Sequence, residues 1–188
     1  MVERQSAQSH PGSPGDDTIA STDPERAPAP RGPGSRGTAR WVVVGALAGF
    51  LAGVGFAALH SWFAVSTGAG ALAPFRRIAT IVQGPPPDTD AIWVGMLVHS
   101  LIAAVLGVIF AGVLLPMRRR SAGWLAWAGL VFGAAVYLVD FQVLARTIPQ
   151  FSAFQQVSQP FELAAHLVFG ALLATFAVLA KPRAATRT

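Results

Sequence analysis

Five ionisable side chains interrupt stretches of sequence that are otherwise apolar, and these residues are the best suited to chemistry. They are His60, His99, Asp140, Glu162 and His166. Ionisable residues are rare and costly within a hydrocarbon layer, so their positions there are informative about function. Imidazole nitrogens bind zinc, copper, iron and nickel, and three histidines leave a fourth position open for water, substrate or a carboxylate. The residue types therefore predict a transition-metal site with His60, His99 and His166 as ligands.

The two carboxylates have a secondary place in this predicted site. We expect Asp140, and after it Glu162, to act as a further metal ligand or as an acceptor that orients a histidine ring. A haem held between two histidines of different helices is the alternative cofactor. Glu162 and His166 are four residues apart, which differs from the Glu-x-x-His spacing of di-iron carboxylate bundles. A di-iron centre is therefore not predicted.

The composition indicates which elements position these residues. Of the 188 residues 53% are hydrophobic and only 12% are charged, and cysteine is absent. Soluble domains carry about 25% charged residues, so an ordinary soluble enzyme is excluded, as are a disulfide scaffold and a thiolate zinc module. Four apolar segments, each long enough to cross a bilayer, occupy residues 41–64, 91–115, 122–144 and 161–180. They predict an all-α integral membrane protein, an antiparallel bundle of four transmembrane helices.

Small residues recur at helical spacing in each segment and predict its packing face. The stripes are Gly45, Gly49 and Gly53 in the first segment, Gly95, Ala103, Gly107 and Ala111 in the second, Gly129 and Gly133 in the third, and Gly170 and Ala174 in the fourth. Such residues let membrane helices approach closely. Each ionisable residue continues the stripe of its own segment, so the histidines and carboxylates are predicted to point inward.

The same residues are predicted to lie towards the outer ends of their helices. At a rise of 1.5 Å per residue, His60, Asp140 and His166 lie about 7 Å inside the predicted outer ends of their helices, and His99 lies about 12 Å inside. Glu162 is close to the outer end itself. The sequence thus predicts a polar cluster in the outer third of the bundle.

The positions of the basic residues predict the orientation. Nine cations flank one side of the predicted bundle: Arg31, Arg36, Arg40, Arg118, Arg119, Arg120, Lys181, Arg183 and Arg187. The other side has Arg76, Arg77 and Arg146. Because cations collect on the cytoplasmic side, both termini are predicted to be cytoplasmic. The net charge of +5 therefore indicates topology and not a nucleic-acid partner.

The segments outside the helices also carry predictions. Residues 1–38, rich in Pro, Gly and Ser, are predicted to be a disordered cytoplasmic tail, residues 39–183 the transmembrane domain, and residues 184–188 a second cytoplasmic tail. In the first outer loop, residues 74–83 are predicted to form an interfacial helix, with Phe75, Ile78, Ala79 and Val82 on its apolar face. The second outer loop, around Phe151, Phe154 and Val157, is predicted to form a weaker one.

Three short motifs resemble a recurring type of small uncharacterised bacterial four-helix membrane protein. The motifs are Gly95-Met96-Leu97-Val98-His99, Gly107-Val108-Ile109-Phe110-Ala111 and Ala165-His166-Leu167-Val168-Phe169-Gly170. The resemblance covers residues 41–180 and implies four helices with a histidine in the second and fourth, without implying an activity. The arginine-rich composition is typical of a GC-rich bacterial genome, so the predicted location is the bacterial inner membrane.

These patterns lead to one leading hypothesis and two alternatives. The leading hypothesis is a metal- or haem-binding module for electron transfer, metal handling or sensing. In the first alternative the chain is an accessory subunit of a membrane complex, or a homo-oligomer, and the histidines only form hydrogen bonds between helices. The carboxylates would then face water or pair with Arg146 or Arg76. The second alternative is a small proton or ion transporter.

No phosphate-binding loop, nucleophile elbow or metalloprotease motif occurs in the sequence, so an enzyme is not predicted.

Overall fold

The described part of the protein is helical throughout. The computed structural model describes residues 35–114 and 121–179, with side chains from residue 39 onward. Its α-helices are α1 (Ser35–Ser66), α2 (Ala73–Gln83), α3 (Ile92–Leu114), α4 (Ala122–Tyr137), α5 (Ala145–Thr147) and α6 (Gln159–Leu179). A π-helix, Leu138–Leu144, joins α4 to α5, and a 3-10 helix, Pro149–Gln156, precedes α6.

Four helices are long and apolar enough to cross a membrane. They cover Ala39–Ser66, Ile92–Leu114, Ala122–Thr147 and Gln159–Leu179. The predicted set of four apolar helices is therefore confirmed. The third is longer than predicted, because the chain continues through the π-helix and α5. Helix α1 begins within the predicted tail 1–38. The rest of that tail, and the second tail at residues 184–188, lie outside the described residues.

Two helix pairs form the bundle, and in each pair small residues allow close approach. In the α1–α3 pair, a Cβ added to Gly49 would lie 2.8 Å from the Cα of Gly107. In the α4–α6 pair, a Cβ added to Gly129 would meet the backbone of Gly170, and one added to Gly133 would meet that of His166. Side chains at these positions would force the backbones apart, as expected for small-residue packing in membranes. The stripes noted in the sequence therefore lie at helix contacts.

The pairs are joined through α1 and α6, which pack against each other. A core cluster fills the junction and includes Ala52, Ala103, Phe110, Leu114, Leu125, Phe169, Leu173 and Ala174. Within the described residues, α3 and α4 meet mainly through long side chains, such as the rings of Phe110 and Phe132, whose centroids are 5.1 Å apart. This wider separation leaves room for a cavity between the pairs.

Helix α2 covers the bundle at the N-terminal end of α3. It starts at Ala73 with a proline in its first turn, which suits the unpaired N–H groups there. The close approach of α2 to α3 requires Gly95, because an added Cβ would overlap the backbone of Phe75. The helix itself was predicted, but its buried face differs from the prediction. Val82 is 65% exposed, whereas Thr80 is 1% exposed.

Thr80 is buried because its hydroxyl has backbone partners. Its Oγ1 lies 2.7 Å from the carbonyl oxygen of Arg77 and 2.9 Å from that of Gln150, at the start of the 3-10 helix. The single hydroxyl proton can be donated to either carbonyl, and this hydrogen bond offsets the cost of burying the hydroxyl. The contact joins the two loop helices above the same end of the bundle.

Candidate functional site

One cavity of about 300 Å³ is lined by all five ionisable residues that the sequence singled out. It lies between the two helix pairs, beneath α2 and the 3-10 helix. Helix α1 contributes His60, α3 contributes His99, the π-helix contributes Asp140, and α6 contributes Glu162 and His166. Six phenylalanines make up much of the remaining wall: Phe56, Phe75, Phe141, Phe151, Phe154 and Phe169.

His60 and Glu162 form a buried pair across the α1–α6 contact. The Nε2 atom of His60 lies 2.8 Å from Oε2 of Glu162, and its Nδ1 lies 3.0 Å from the carbonyl oxygen of Phe56. A carbonyl oxygen only accepts hydrogen bonds, so Nδ1 carries a proton. The short contact at Nε2 needs a second proton, held either by the imidazole or by the carboxyl. In both cases the net charge of the pair is zero.

His166 is oriented by its own helix and faces Asp140. Its Nδ1–H donates to the carbonyl oxygen of Glu162 over 2.7 Å, which directs Nε2 towards the π-helix. There Nε2 lies 3.8 Å from Oδ2 of Asp140. This separation is longer than a direct hydrogen bond, for which about 2.7–3.2 Å is usual. His166 is buried, whereas the Asp140 side chain is 33% exposed.

His99 makes its hydrogen bond across the α1–α3 contact. Its Nε2–H donates to the carbonyl oxygen of Gly53 over 2.9 Å. The stripe of small residues on α1 lets α3 approach closely enough for this bond, since a Cβ on Gly53 would lie 2.5 Å from that of Ala103. Each of the three histidines therefore uses one ring nitrogen on a backbone carbonyl.

The Phe56 ring stands among the three imidazoles. Its centroid is 4.1 Å from that of His60, 4.9 Å from that of His166 and 5.9 Å from that of His99. A zinc ion would need nitrogen ligands at about 2.0–2.1 Å. Among the residues that the structure describes, no three His, Asp or Glu side chains are placed to hold a metal ion. The predicted ligands thus share a cavity without forming a coordination sphere, and metal or haem binding stays a prediction.

Asp140 lies in the π-helix, an element that was not predicted from the sequence. The prediction treated residues 122–144 as one regular helix, but the backbone N–H of Ala145 bonds to the carbonyl of Asp140, five residues earlier. Such wide turns are uncommon and recur at functional sites. Phe141 of the same turn packs its ring 5.5 Å from that of His166. No residue type in this stretch signals the wider turn, which only the packing around it reveals.

Arg77 is a cavity residue that the sequence analysis did not count among the site residues. It is half-buried and lines the cavity together with Pro74, Ile78 and Ile81. Burial lowers the pKa of the Arg77 guanidinium, and attraction to the Glu162 carboxylate partly opposes this shift. The spacing of these four residues, i, i+3, i+4 and i+7, is the signal that identifies the face.

The alternative pairing of the carboxylates with Arg146 or Arg76 is wrong for Glu162, whose partner is His60. Arg146 instead begins a chain of hydrogen bonds outside the cavity. It donates to Gln142, whose amide donates to the Tyr137 hydroxyl over 3.0 Å, and this hydroxyl donates to Gln159 over 3.1 Å. The chain links the π-helix to the start of α6 and so supports the wall that carries Asp140.

Comparison with protein-family models, with curated proteins and with solved structures found no match for this chain. The resemblance noted from the three motifs is therefore untested and stays a prediction. The function is accordingly inferred from the residues of the cavity.

Proposed function

We propose that the chain is an integral membrane protein that binds a small, mainly apolar molecule with one polar group. The observation that carries this proposal is the convergence of His60, His99, Asp140, Glu162 and His166 on one phenylalanine-rich cavity. Ligand sites typically combine apolar walls with a few polar groups, in volumes of about 300–1,000 Å³. A cavity of about 300 Å³ suits a molecule at the small end of this range.

The proposal includes an antiparallel arrangement of the four transmembrane helices. It is supported by the order of the contacts, since Gly45, Gly49 and Gly53 of α1 face Ala111, Gly107 and Ala103 of α3 in turn. The excess of basic residues on one side supports cytoplasmic termini in a bacterial inner membrane. The cavity then lies in the outer third of the bilayer.

A cavity-blocking variant tests the proposal. Leu144 lines the cavity and is half-buried, whereas Leu138 of the same π-helix is exposed and lies outside it. We expect Leu144→Trp to fill the cavity and Leu138→Trp to leave it open. The protein in lipid nanodiscs is titrated with 4-phenylbutylamine, 4-phenylbutyrate and n-butylbenzene, and ligand binding is measured by the rise in unfolding temperature.

At least one of the three probes should stabilise the wild type and Leu138→Trp, and the effect should be lost in Leu144→Trp. Native mass spectrometry of the protein purified in mild detergent provides a second readout. A small molecule should co-purify with the wild type and be absent from Leu144→Trp. If no probe stabilises the wild type and nothing co-purifies, the proposed function is wrong.

A metal- or haem-binding module is the second candidate. It is favoured by the carbonyl acceptors that orient His60, His99 and His166, because histidines that bind metals are usually held through their second nitrogen. Phe56 would have to leave the centre of the cluster before the rings converge on one ion. Metal analysis and an absorption spectrum of the wild type, compared with His99→Ala/His166→Ala, distinguish this candidate. The accessory-subunit and transporter alternatives have no further observation in their favour.

A further inference from the structure

We infer that the polar group of the ligand is a positively charged hydrogen-bond donor, an amine, held by Asp140 and His166. This inference rests on the proposed function and deepens it by naming the chemical class of the ligand. Some polar atoms of the cavity already have hydrogen-bond partners, and the others can only accept a hydrogen bond.

His99 offers an acceptor to the cavity. Its Nε2 carries the proton, because that atom donates to the carbonyl oxygen of Gly53. The uncharged ring therefore has a lone pair at Nδ1. Among the described residues, none donates a hydrogen bond to this atom. A molecule in the cavity can bind to Nδ1 by donating to it.

His166 and Asp140 offer two more acceptors side by side. The Nδ1–H of His166 is used by the carbonyl oxygen of Glu162, so the lone pair of the uncharged ring is at Nε2. This atom faces the carboxylate of Asp140 at 3.8 Å, too far for a direct hydrogen bond. An ammonium group has three donors and no acceptor, so it can bind both partners at once.

The other charged groups of the cavity already have partners. His60 and Glu162 satisfy each other at 2.8 Å with no net charge, whichever of them holds the shared proton. The guanidinium of Arg77, on the α2 side of the cavity, interacts with Glu162 of this pair. Asp140 is the cavity carboxylate without a partner at hydrogen-bond distance among the described residues, so the position beside it favours a cation over an anion.

The walls suit the remainder of such a molecule. Faces of aromatic rings attract cations, and the attraction strengthens where water is excluded. The six phenylalanines of the cavity also provide contacts for an apolar body. A primary amine attached to a short aromatic or alkyl chain combines both features.

Three probes with the same phenylbutyl body, in nanodiscs, test the inference. We expect 4-phenylbutylamine to bind about tenfold or more tightly than n-butylbenzene or 4-phenylbutyrate. Neither of these two compounds can form the desolvated ion pair with Asp140. Asp140→Asn keeps the shape of the side chain and should reduce amine affinity to that of n-butylbenzene. Asp90→Asn, in the exposed loop before α3, should leave all three affinities unchanged.

The outcomes separate the inference from the proposed function. If n-butylbenzene or 4-phenylbutyrate binds as tightly as the amine, or Asp140→Asn leaves amine affinity unchanged, the inference is overturned and the proposed function stands. If none of the probes binds, the inference is overturned, and the proposed function is overturned with it if no small molecule co-purifies with the wild type. Side-chain ¹⁵N spectra of the histidines add a positional readout. The amine should shift the Nε2 signal of His166, while His60 remains unchanged.

Discussion

His60 Nε2 and Glu162 Oε2 lie 2.8 Å apart although their residues are 102 positions apart in the sequence. The contact joins α1 to the first turn of α6, the two helices through which the helix pairs meet. Both residues are buried, so a partner left alone would be an unsatisfied polar group in apolar surroundings. The pair therefore contributes to the assembly of the bundle as well as to the polarity of the cavity.

Glu162→Ala should destabilise the protein more than Glu162→Gln. The alanine variant leaves His60 Nε2 without a partner, which costs about 1–3 kcal/mol. The amide of glutamine can still donate to Nε2 of an uncharged His60, so its cost should be below about 1 kcal/mol. Reversible unfolding in mixed micelles measures the difference. Asp90→Ala is the control, and equal losses in the two Glu162 variants would contradict the interpretation of the pair.

Phe56→Ala should open space among the three imidazoles. Removing the ring should destabilise the protein by about 3 kcal/mol, as other Phe→Ala changes in packed sites do. We also expect the variant to bind Ni²⁺ or Zn²⁺ more tightly than the wild type, because the histidines can then converge. Metal titration followed by mass spectrometry measures this gain. An equal metal affinity in the two proteins would show that Phe56 is not what keeps the rings apart.

Gly107→Leu should be far more damaging than Gly112→Leu, although both residues belong to α3. A Cβ at Gly107 would lie 2.5 Å from the Cα of Gly49, whereas one at Gly112 would meet no atom within 4 Å. We expect a loss of about 2 kcal/mol or more for Gly107→Leu, within the range for overpacked sites. The change at Gly112 should be close to zero. Thermal unfolding in nanodiscs measures both, and similar melting temperatures would argue against close α1–α3 packing.

The orientation can be tested with single cysteines, since the chain has none of its own. Thr89→Cys lies in the exposed loop between α2 and α3, and Ala122→Cys lies at the exposed start of α4. In intact bacterial cells a membrane-impermeant maleimide should label Thr89→Cys and spare Ala122→Cys, because the basic residues favour a cytoplasmic side for the latter. Both should react after lysis. Labelling of Ala122→Cys in intact cells would reverse the proposed topology.

The elements that depend on local sequence were predicted well. The four long helices follow from runs of apolar residues, and α2 follows from its periodicity and from the proline and glycine at its ends. The shared cavity was also predictable in outline. His60, His99, Asp140 and His166 continue stripes of small residues, and these stripes mark the packed faces.

The features that depend on more than one element were not predictable. The burial of Thr80 in place of Val82 depends on a carbonyl of Gln150, 70 residues later in the chain. Arg77 faces Glu162 only because α2 folds back over the bundle. The π-helix at Leu138–Leu144 is not signalled by any residue type within it.

Hydropathy and helical spacing are local properties, so they were enough to predict the four apolar helices and to place their polar residues towards one end of the bundle. The partner of each histidine could not be predicted in this way. His60 meets Glu162, His166 faces Asp140, and His99 bonds to Gly53, with the Phe56 ring among them. The physical reason is that a hydrogen bond requires two atoms to lie within about 3 Å. That distance, between residues far apart in the chain, is set by how the helices pack.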